Sequence, residues 1–120
     1  MQLEEINKDI DKKIEINLYR IIQEAVNNII KHSKATRVSI RLYEDDGRIY
    51  LKISDNGCGF RKGMLKFNKN GLGLIGMKER ANLLNGEFSI SSTPKRGTKL
   101  EVCIPVKLRE KDEKDKSIFG

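Results

Sequence analysis

The sequence predicts an α/β sandwich of the α+β class, in which one mixed, mostly antiparallel sheet carries its helices on one face. Two observations support this fold: two amphipathic helical segments, and two pairs of alternating segments that each meet at a turn. Their order is helix, hairpin, loop, helix, hairpin, and such hairpins form antiparallel sheets with the helices grouped together. No strand–helix–strand repeat is present, which disfavours a doubly wound parallel sheet.

The first half of the chain contains one helix and one hairpin. The helix is predicted over residues 14–31, where apolar residues recur at three- and four-residue spacing without Gly or Pro. Residues 37–44 and 48–55 then alternate between apolar and polar side chains. Asp46 and Gly47 between them form a strong hairpin-turn signal.

The second half repeats this order after a glycine-rich loop. Residues 56–71 have no hydrophobic period and are predicted to be a long functional or mobile loop. Residues 72–84 form a second amphipathic helix, which Asn85 and Gly86 end. The second hairpin turns at TPKRG. In its first strand one face carries Phe88, Ile90 and Ser92. In its second strand one face carries Thr98, Leu100, Val102 and Ile104.

The composition limits the class of protein. A chain of 120 residues with 38% hydrophobic residues predicts one globular domain with a single core. No apolar run approaches the roughly 20 residues of a membrane span, and the charged N-terminus contains no signal segment. Two cysteines make no disulfide framework, so a reducing cytoplasm is predicted. The formal charge of +7 is scattered without interleaved aromatics, which favours a solvated surface over nucleic-acid binding.

The chain divides into three predicted segments. Residues 1–13 form a lead-in or short strand, residues 14–106 the globular domain, and residues 107–120 a charged tail. The tail has too few apolar residues to pack and is predicted to be disordered.

The first helix carries a polar ridge beside its apolar stripe. Glu24, Asn28 and Lys31 fall within about 60° of one another when each residue turns the helix by about 100°. An amide oxygen can ligate Mg²⁺ and a nearby carboxylate can orient or deprotonate a nucleophile. A plain solvated helix face explains the same pattern, so both interpretations stay open.

The stretch SDNGCGF places a carboxylate where a buried side chain is expected. Asp55 has the parity of the apolar residues before it, so its carboxylate is predicted to face the core and to need a donor. A turn asparagine, a cap or the amine of a ligand could supply that donor. Gly57 and Gly59 allow a sharp turn and a close approach, whereas Cys58 between them is assigned no role.

Residues 71–77, GLGLIGM, match the spacing G-x-G-x-x-G. The match follows a polar loop and not a buried strand, so the dinucleotide-binding interpretation fails. A glycine-rich loop that opens a helix remains, and its free N–H groups suit phosphate. Close packing at a helix start explains the glycines equally well.

Two further polar side chains are candidates. Thr98 shares the parity of the apolar residues in its strand, so its hydroxyl is predicted to face inward and to need a partner from the backbone or from a ligand. His32 is the only histidine. Its place near a helix end is more typical of a cap or a packed side chain than of a metal ligand, a base or a phosphoacceptor.

Taken together and in this order, four motifs resemble those of the histidine-kinase-like ATPase superfamily, whose Bergerat fold is shared by sensor kinases, gyrase, Hsp90 and MutL. QEAVNNIIKHS resembles the N box, SDNGCGF the G1 box, GLGLIGMKERA the G2 box and GTKLEVCIPV the closing strand motif. The resemblance covers residues 14–106. LYRIIQEAVNNIIKHSKA and GLGLIGMKERANLLNGEFSI are similar to sensor histidine kinases of the nitrate and desaturase type.

The resemblance implies that the domain binds ATP with Mg²⁺. Asp55 would accept a hydrogen bond from the adenine amino group, with Thr98 assisting directly or through water. Asn28 would coordinate Mg²⁺, and Glu24 would hold or polarise the nucleophile. The remaining implied residues are Lys31 near phosphate, His32 near the base or ribose, Gly57 and Gly59 around adenine, and Gly71, Leu72, Gly73 and Gly76 on the phosphate side of a lid over residues 61–70.

The resemblance also implies an activity, the delivery of the ATP γ-phosphate to a histidine in a two-component sensor kinase. Nothing in this chain resembles the helical hairpin that bears the acceptor, so that histidine is expected on a separate dimerisation domain, with a response regulator as the further partner. The fragment is then expected to be cytoplasmic and monomeric, to contact neither nucleic acid nor membrane, and to bind Mg-ATP without phosphorylating itself. A stand-alone anti-sigma-factor-like serine kinase is the alternative.

Overall fold

The structure, a computed structural model, describes residues 2–3, as backbone only, together with residues 10–59 and 73–106. Its five-stranded sheet has the order β1-β2-β3-β5-β4. The strands are β1 (Gln2–Leu3), β2 (Val38–Asp45), β3 (Arg48–Asp55), β4 (Glu87–Thr93) and β5 (Gly97–Pro105). The helices are α1 (Lys12–Asn28), which continues as a π-helical turn over Ile29–Ser33, and α2 (Leu74–Leu83).

The predicted fold class is confirmed. β1 runs parallel to β2, whereas every other neighbouring pair of these strands is antiparallel. Both hairpins form as predicted, and Asp46 and Gly47 take the left-handed backbone angles that a two-residue hairpin turn requires. Within the described residues, neither helix has the length and apolar character needed to cross a membrane.

The core lies between the helices and one face of the sheet. The sheet contributes the predicted inward rows of β3 and β5, which are Ile49, Leu51, Ile53, Leu100, Val102 and Ile104. The helices contribute Ile14, Leu18, Ile21 and Ala25 of α1 and Leu74, Met77 and Ala81 of α2. Each large buried apolar side chain contributes about 1.5–3 kcal/mol. These rows therefore hold the ends of β3 and β5 against both helices.

The first helix differs from its prediction at both ends. It begins at Lys12, where the carboxylate of Asp11 caps it by accepting a hydrogen bond from the backbone N–H of Lys13 at 2.9 Å. The prediction of one continuous α-helix to Lys31 is wrong in the last turn, because the backbone changes to π-helical geometry at Ile29. The angular spacing used for Lys31 assumed α-helical geometry and therefore does not apply at this residue.

The second helix is described from Leu74, and the predicted start at residue 72 lies outside the described residues. Its predicted end is confirmed. Asn85 adopts a left-handed φ of 59°, and the N–H of Gly86 donates to the carbonyl of Ala81 at 2.8 Å. The predicted lid over residues 61–70 and the tail over residues 107–120 also lie outside the described residues.

The other face of the sheet carries polar and aromatic side chains. The rings of Tyr43 and Tyr50 stack with their centroids 5.1 Å apart, and the guanidinium of Arg41 lies 4.7 Å from the Tyr43 ring centre. Loss of hydration raises the pKa of the Tyr50 phenol above its ordinary value, and the neighbouring Cys103 raises this pKa further. The functional candidates lie on the opposite, helix-covered face.

Candidate functional site

A pocket that is partly open to solvent lies where α1, the π-helical turn and α2 meet the ends of the inner strands. Its polar lining consists of Asn28, Ser33, Asp55 and Thr98. The apolar lining consists of Ala25, Ile29, Ile53, Leu74, Met77, Ile90 and Leu100. Apolar walls with a few convergent polar groups are typical of small-molecule sites. Three residues predicted from separate motifs, Asn28, Asp55 and Thr98, are thus brought together.

We call Asp55, Gly57 and Thr98 the strand end of the pocket. Asp55 of β3 is paired with Thr98 of β5, which is paired in turn with Ser92 of β4. The Oδ1 atom of Asp55 accepts a hydrogen bond from the N–H of Gly57 at 2.8 Å. Its other carboxylate oxygen receives no hydrogen bond from the described residues. Within that part of the chain, one acceptor of Asp55 is used by its own turn and one is left for a ligand.

The turn asparagine does not serve Asp55. The side-chain oxygen of Asn56 accepts hydrogen bonds from the N–H groups of Thr36 and Arg37 at 2.9 and 2.8 Å. Its side-chain nitrogen donates to the Thr36 hydroxyl at 2.9 Å. Asn56 therefore fastens the chain before β2 to the end of β3, and the N–H of Gly57 is the local donor that Asp55 needs.

Gly57 of the strand end and Gly59, which follows two residues later, both lie against protein backbone. A Cβ atom on Gly57 would overlap the carbonyl oxygen of Ser33, and one on Gly59 would overlap the carbonyl oxygen of Thr93. Cys58 between them, which was assigned no role, has a structural one. Its N–H donates to the Ser33 carbonyl at 2.8 Å and its thiol to the His32 carbonyl at 3.3 Å. This loop is thus fastened to the π-helical turn.

We call Glu24, Asn28 and Gly73 the helix end of the pocket. Asn28 lines the pocket, and Glu24 lies one turn earlier on α1. A Cβ atom on Gly73 would overlap the Glu24 carboxylate, so this side chain lies against the start of α2. Gly73 is the N-cap of α2 and has a φ of 67°. A helix N-terminus presents free N–H groups and positive potential, so this end of the pocket suits anionic groups.

The described residues offer few side chains that could together hold a metal ion. Residues 10–59 and 73–106 contain no group of three His, Cys, Asp or Glu side chains that could hold a metal ion. Mg²⁺ commonly takes only one or two protein oxygens and completes its shell with water and substrate phosphates. The amide oxygen of Asn28 inside the pocket is compatible with that kind of site.

Other predicted residues lie outside the pocket lining. Lys31 and His32 are exposed on the π-helical turn. Gly76 is exposed in the first turn of α2, and a Cβ atom there would meet no described atom within 4 Å. Gly71 and Leu72 lie outside the described residues.

Two polar residues at the site were not singled out from the sequence. Ser33 is 2% exposed, lines the pocket and accepts a hydrogen bond from the N–H of Ala35 at 3.0 Å. Its position depends on the π-helical turn, which no periodicity indicated. Ser92 lies within 3.0 Å of the Thr98 hydroxyl. Its parity with Phe88 and Ile90 was a usable signal, because that parity already directed its hydroxyl inward.

Comparisons with known proteins agree with this geometry. A family model described as "Histidine kinase-, DNA gyrase B-, and HSP90-like ATPase" matches residues 13–108. The sensor histidine kinase LiaS of Bacillus subtilis (strain 168) is 40% identical over 112 residues, which are 92% of this chain and 31% of LiaS. The sensor protein VraS of Staphylococcus epidermidis is 38% identical over 107 residues, 89% of this chain and 30% of VraS. The chain thus spans about a third of the length of these relatives.

Solved structures give the same fold. The ATP-binding domain of PrrB from Mycobacterium tuberculosis has a TM-score of 0.63 at 26% identity, over 77% of this chain and 68% of that one. The histidine kinase domain of the blue-light-activated kinase EL346 from Erythrobacter litoralis has a TM-score of 0.72 over 88% of this chain and 49% of that one. Its 17% identity supports the fold alone.

Proposed function

Because this chain belongs to the family of histidine kinase-, DNA gyrase B- and HSP90-like ATPases, we propose that it is the ATP-binding catalytic domain of a sensor histidine kinase. The named relatives are sensor kinases. The observation that carries the proposal is the convergence of Asn28, Asp55 and Thr98, from three distant motifs, on one pocket between the helices and the sheet.

The strand end of the pocket would bind adenine. The free carboxylate oxygen of Asp55 accepts a hydrogen bond from the exocyclic amino group, and Thr98 assists directly or through a water molecule. Ile53, Ile90 and Leu100 supply apolar surface for the ring. A carboxylate that accepts from a neutral donor forms a charge-assisted hydrogen bond, which is stronger than a neutral one.

The helix end would receive the phosphates. Asn28 would hold Mg²⁺, which when bound neutralises phosphate charge. The N–H groups at the start of α2, for which the described residues provide no side-chain cap, would attract anionic oxygens. Glu24, held against Gly73, would orient the nucleophile or accept its proton. Contacts of Lys31, His32, Gly71, Leu72 and Gly76 with the nucleotide stay predictions.

The phosphoryl acceptor would be a histidine on a separate dimerisation domain. An imidazole nitrogen bonds to the γ-phosphorus as the bond from that phosphorus to the ADP oxygen breaks, and ADP leaves. A response regulator would then take the phosphoryl group. A monomeric state and a cytoplasmic location for this domain belong to the same proposal, as does the narrower likeness to nitrate and desaturase sensors. No observation favours the anti-sigma-factor-like alternative over the sensor kinase.

The proposal is tested by calorimetry of Mg-ATP binding to the parent chain and to Asp55→Asn. The asparagine oxygen can keep the hydrogen bond from the N–H of Gly57, so the fold should be retained. The amide nitrogen then replaces the ligand-facing oxygen and presents donors to the donor of adenine. A hydrogen bond to a charged group contributes about 1.5–3 kcal/mol, so the Kd should rise ten- to a hundredfold.

Asp45→Asn is the matched control. Asp45 is exposed at the far end of β2 and pairs with Arg48, so its loss of charge should leave the affinity for Mg-ATP unchanged. Circular dichroism spectra of both variants establish that each is folded. An unchanged Kd in folded Asp55→Asn would rule out base recognition by Asp55, and absent binding by the parent chain would rule out the nucleotide site as a whole.

A further inference from the structure

The face of the sheet opposite the helices carries a groove that follows the strands. Two neighbouring hollows on this face share Ser39, Ser54 and Lys99, so they form one continuous depression. No described helix covers it, because α1 and α2 pack against the other face. We call this depression the outer groove, and its lining includes Arg37, Ser39, Lys52, Ser54, Arg96 and Lys99.

The alternation of side chains along the strands builds the outer groove. Ser39 of β2, Ser54 of β3 and Lys99 of β5 are paired across the sheet in one row. Because serine is short, this row lies lower than the long basic side chains around it. The serine hydroxyls can donate hydrogen bonds, as can every ammonium and guanidinium group. The groove therefore offers hydroxyl donors on its floor and cationic donors on its walls.

The groove has more positive than negative charge. Arg37, Arg96 and Lys99 are exposed, and within the described residues no carboxylate forms an ion pair with any of them. Glu101 is an acidic residue of the lining and lies at the other end of the groove. Asp55 borders the groove too, but it also lines the nucleotide pocket on the opposite face. An excess of exposed cations on one surface attracts a ligand with several negative charges.

The tyrosines beside the groove indicate which kind of anion it suits. The Tyr43 ring stacks on the Tyr50 ring, and its centre lies 4.7 Å from the Arg41 guanidinium and 5.7 Å from the Lys52 ammonium. Proteins that bind single-stranded nucleic acid stack successive bases on aromatic rings. Tyr43 already contacts another ring and two cations, so it is poorly suited to stack a base. The arrangement therefore favours carboxylates over a nucleic acid.

The direction of the groove fits an extended polypeptide. In an extended segment, side chains two residues apart point the same way and are separated by about 6.7 Å. Arg37 and Ser39 are two residues apart on β2, so a segment with an acidic residue at every second position repeats at the same interval. Residues 107–120 of this chain contain five Lys and Arg against four Asp and Glu, so that segment is not acidic overall.

We propose that the outer groove is a docking site for an acidic, extended segment of a partner protein, whose Asp or Glu side chains bind Arg37, Arg96 and Lys99. Successive residues of a strand point to opposite faces of the sheet, so Thr98 lines the nucleotide pocket and Lys99 the groove. The segment and a nucleotide can therefore be bound at the same time. The inference does not depend on the proposed function.

The test is fluorescence anisotropy with a short labelled peptide that alternates glutamate with serine. The parent chain should bind it with a Kd below about 1 mM, and added salt should weaken binding because exposed charges are screened. In Arg96→Glu/Lys99→Glu the Kd should rise about tenfold or more, because each reversal removes an attraction and adds a repulsion. Arg96→Gln/Lys99→Gln removes the charges alone and should give a smaller rise.

Lys12→Glu/Arg20→Glu is the matched control, because it changes the net charge by the same amount. Both residues are exposed on α1 and do not line the outer groove. This variant should therefore leave the Kd for the peptide nearly unchanged. Asp55→Asn should also keep the affinity for the peptide, since its carboxylate is assigned to the nucleotide pocket. Circular dichroism spectra establish that every variant is folded.

The outcomes decide between the possible ligands. A rise of the Kd in folded Arg96→Glu/Lys99→Glu that the α1 control does not show supports the inference. Absent binding by the parent chain, or an equal rise in both double variants, overturns it. A single-stranded oligothymidylate, or vesicles that contain phosphatidylserine, could bind more tightly than the peptide and lose that binding in the same variant. Either result would overturn the assignment to an acidic polypeptide.

Discussion

The two ends of the pocket contain similar glycine-rich sequences that serve different purposes. At the strand end, the backbone at Gly57 meets the Ser33 backbone. The same loop is fastened by the Asn56 side chain, which accepts a hydrogen bond from the N–H of Thr36, and by Cys58, whose N–H donates to the Ser33 carbonyl. At the helix end, the nearest described atoms to a Cβ on Gly73 belong to the flexible side chain of Glu24, and a Cβ on Gly76 would meet no described atom within 4 Å. Glycine at the strand end is thus required by the fold itself.

The difference indicates where a nucleotide can still change the protein. The strand end is fastened by hydrogen bonds within the chain, so it can recognise a base at little cost in conformational entropy. At the helix end, the described residues provide no side-chain cap for the first N–H groups of α2, and Gly73 lies against a long, flexible side chain, that of Glu24. Replacing each glycine by alanine tests this difference. The loss in the free energy of unfolding should be largest at the strand end and smallest at the helix end.

The largest effect is expected for Gly57→Ala. The new Cβ atom would overlap the carbonyl oxygen of Ser33 and lie 2.7 Å from its Cβ atom, and backbone at a helix end cannot move aside as a side chain can. The free energy of unfolding should fall by about 3 kcal/mol, the upper end for overpacking. Guanidinium unfolding followed by circular dichroism measures this loss. Because Ser33 lines the pocket, the affinity for Mg-ATP should fall as well.

Gly47→Ala separates steric overlap from backbone strain. Gly47 has a φ of 75°, and a Cβ atom there would meet nothing within 4 Å. Its substitution should cost only the strain of a left-handed residue, about 1–2 kcal/mol, and leave nucleotide binding unchanged. A loss in Gly57→Ala no larger than that in Gly47→Ala would contradict the close packing of Gly57 on Ser33.

The fold was largely predictable because its signals are local. The parity of Ile49, Leu51 and Ile53 fixes one face of a strand, and Asp46-Gly47 fixes the turn that pairs it with its neighbour. The π-helical turn was not predictable from periodicity, since it depends on tertiary contacts. Ser33 is the last residue of this turn, and its carbonyl oxygen accepts a hydrogen bond from the N–H of Cys58, which lies twenty-five residues later in the chain.

The sequence predicted which residues of the site face inward, but it predicted less well which hydrogen-bond partners those residues have. Parity alone placed Asp55 and Thr98 inward, where the pocket lies. It could not show that the Asp55 carboxylate is already held by Gly57, or that Asn56 binds Thr36 across the loop. Such contacts join segments that are distant in sequence or depend on the exact backbone path, and no spacing rule encodes them.

An intermediate effect is expected for Gly73→Ala. The left-handed φ of 67° costs an alanine about 1–2 kcal/mol, and its Cβ atom would displace the Glu24 carboxylate. Unfolding in urea measures the loss. In the double variant with Glu24→Ala, the overlap disappears and only the strain remains, so the double variant should be more stable than the sum of the single effects predicts. Strict additivity would contradict contact between Glu24 and Gly73.

The smallest effect on stability is expected for Gly76→Ala, which should stabilise the protein, whereas the other glycine substitutions should destabilise it. Gly76 is exposed within α2, and alanine is favoured over glycine in a helix by about 0.5–1 kcal/mol, so the free energy of unfolding should rise. If the missing side chain makes room for phosphate at the helix end, the same substitution should weaken Mg-ATP binding. Asn82→Ala, exposed in the last turn of the same helix, should also stabilise the protein but leave binding unchanged. A Gly76→Ala variant that gains stability and keeps its affinity would show that the glycine is not there for the nucleotide.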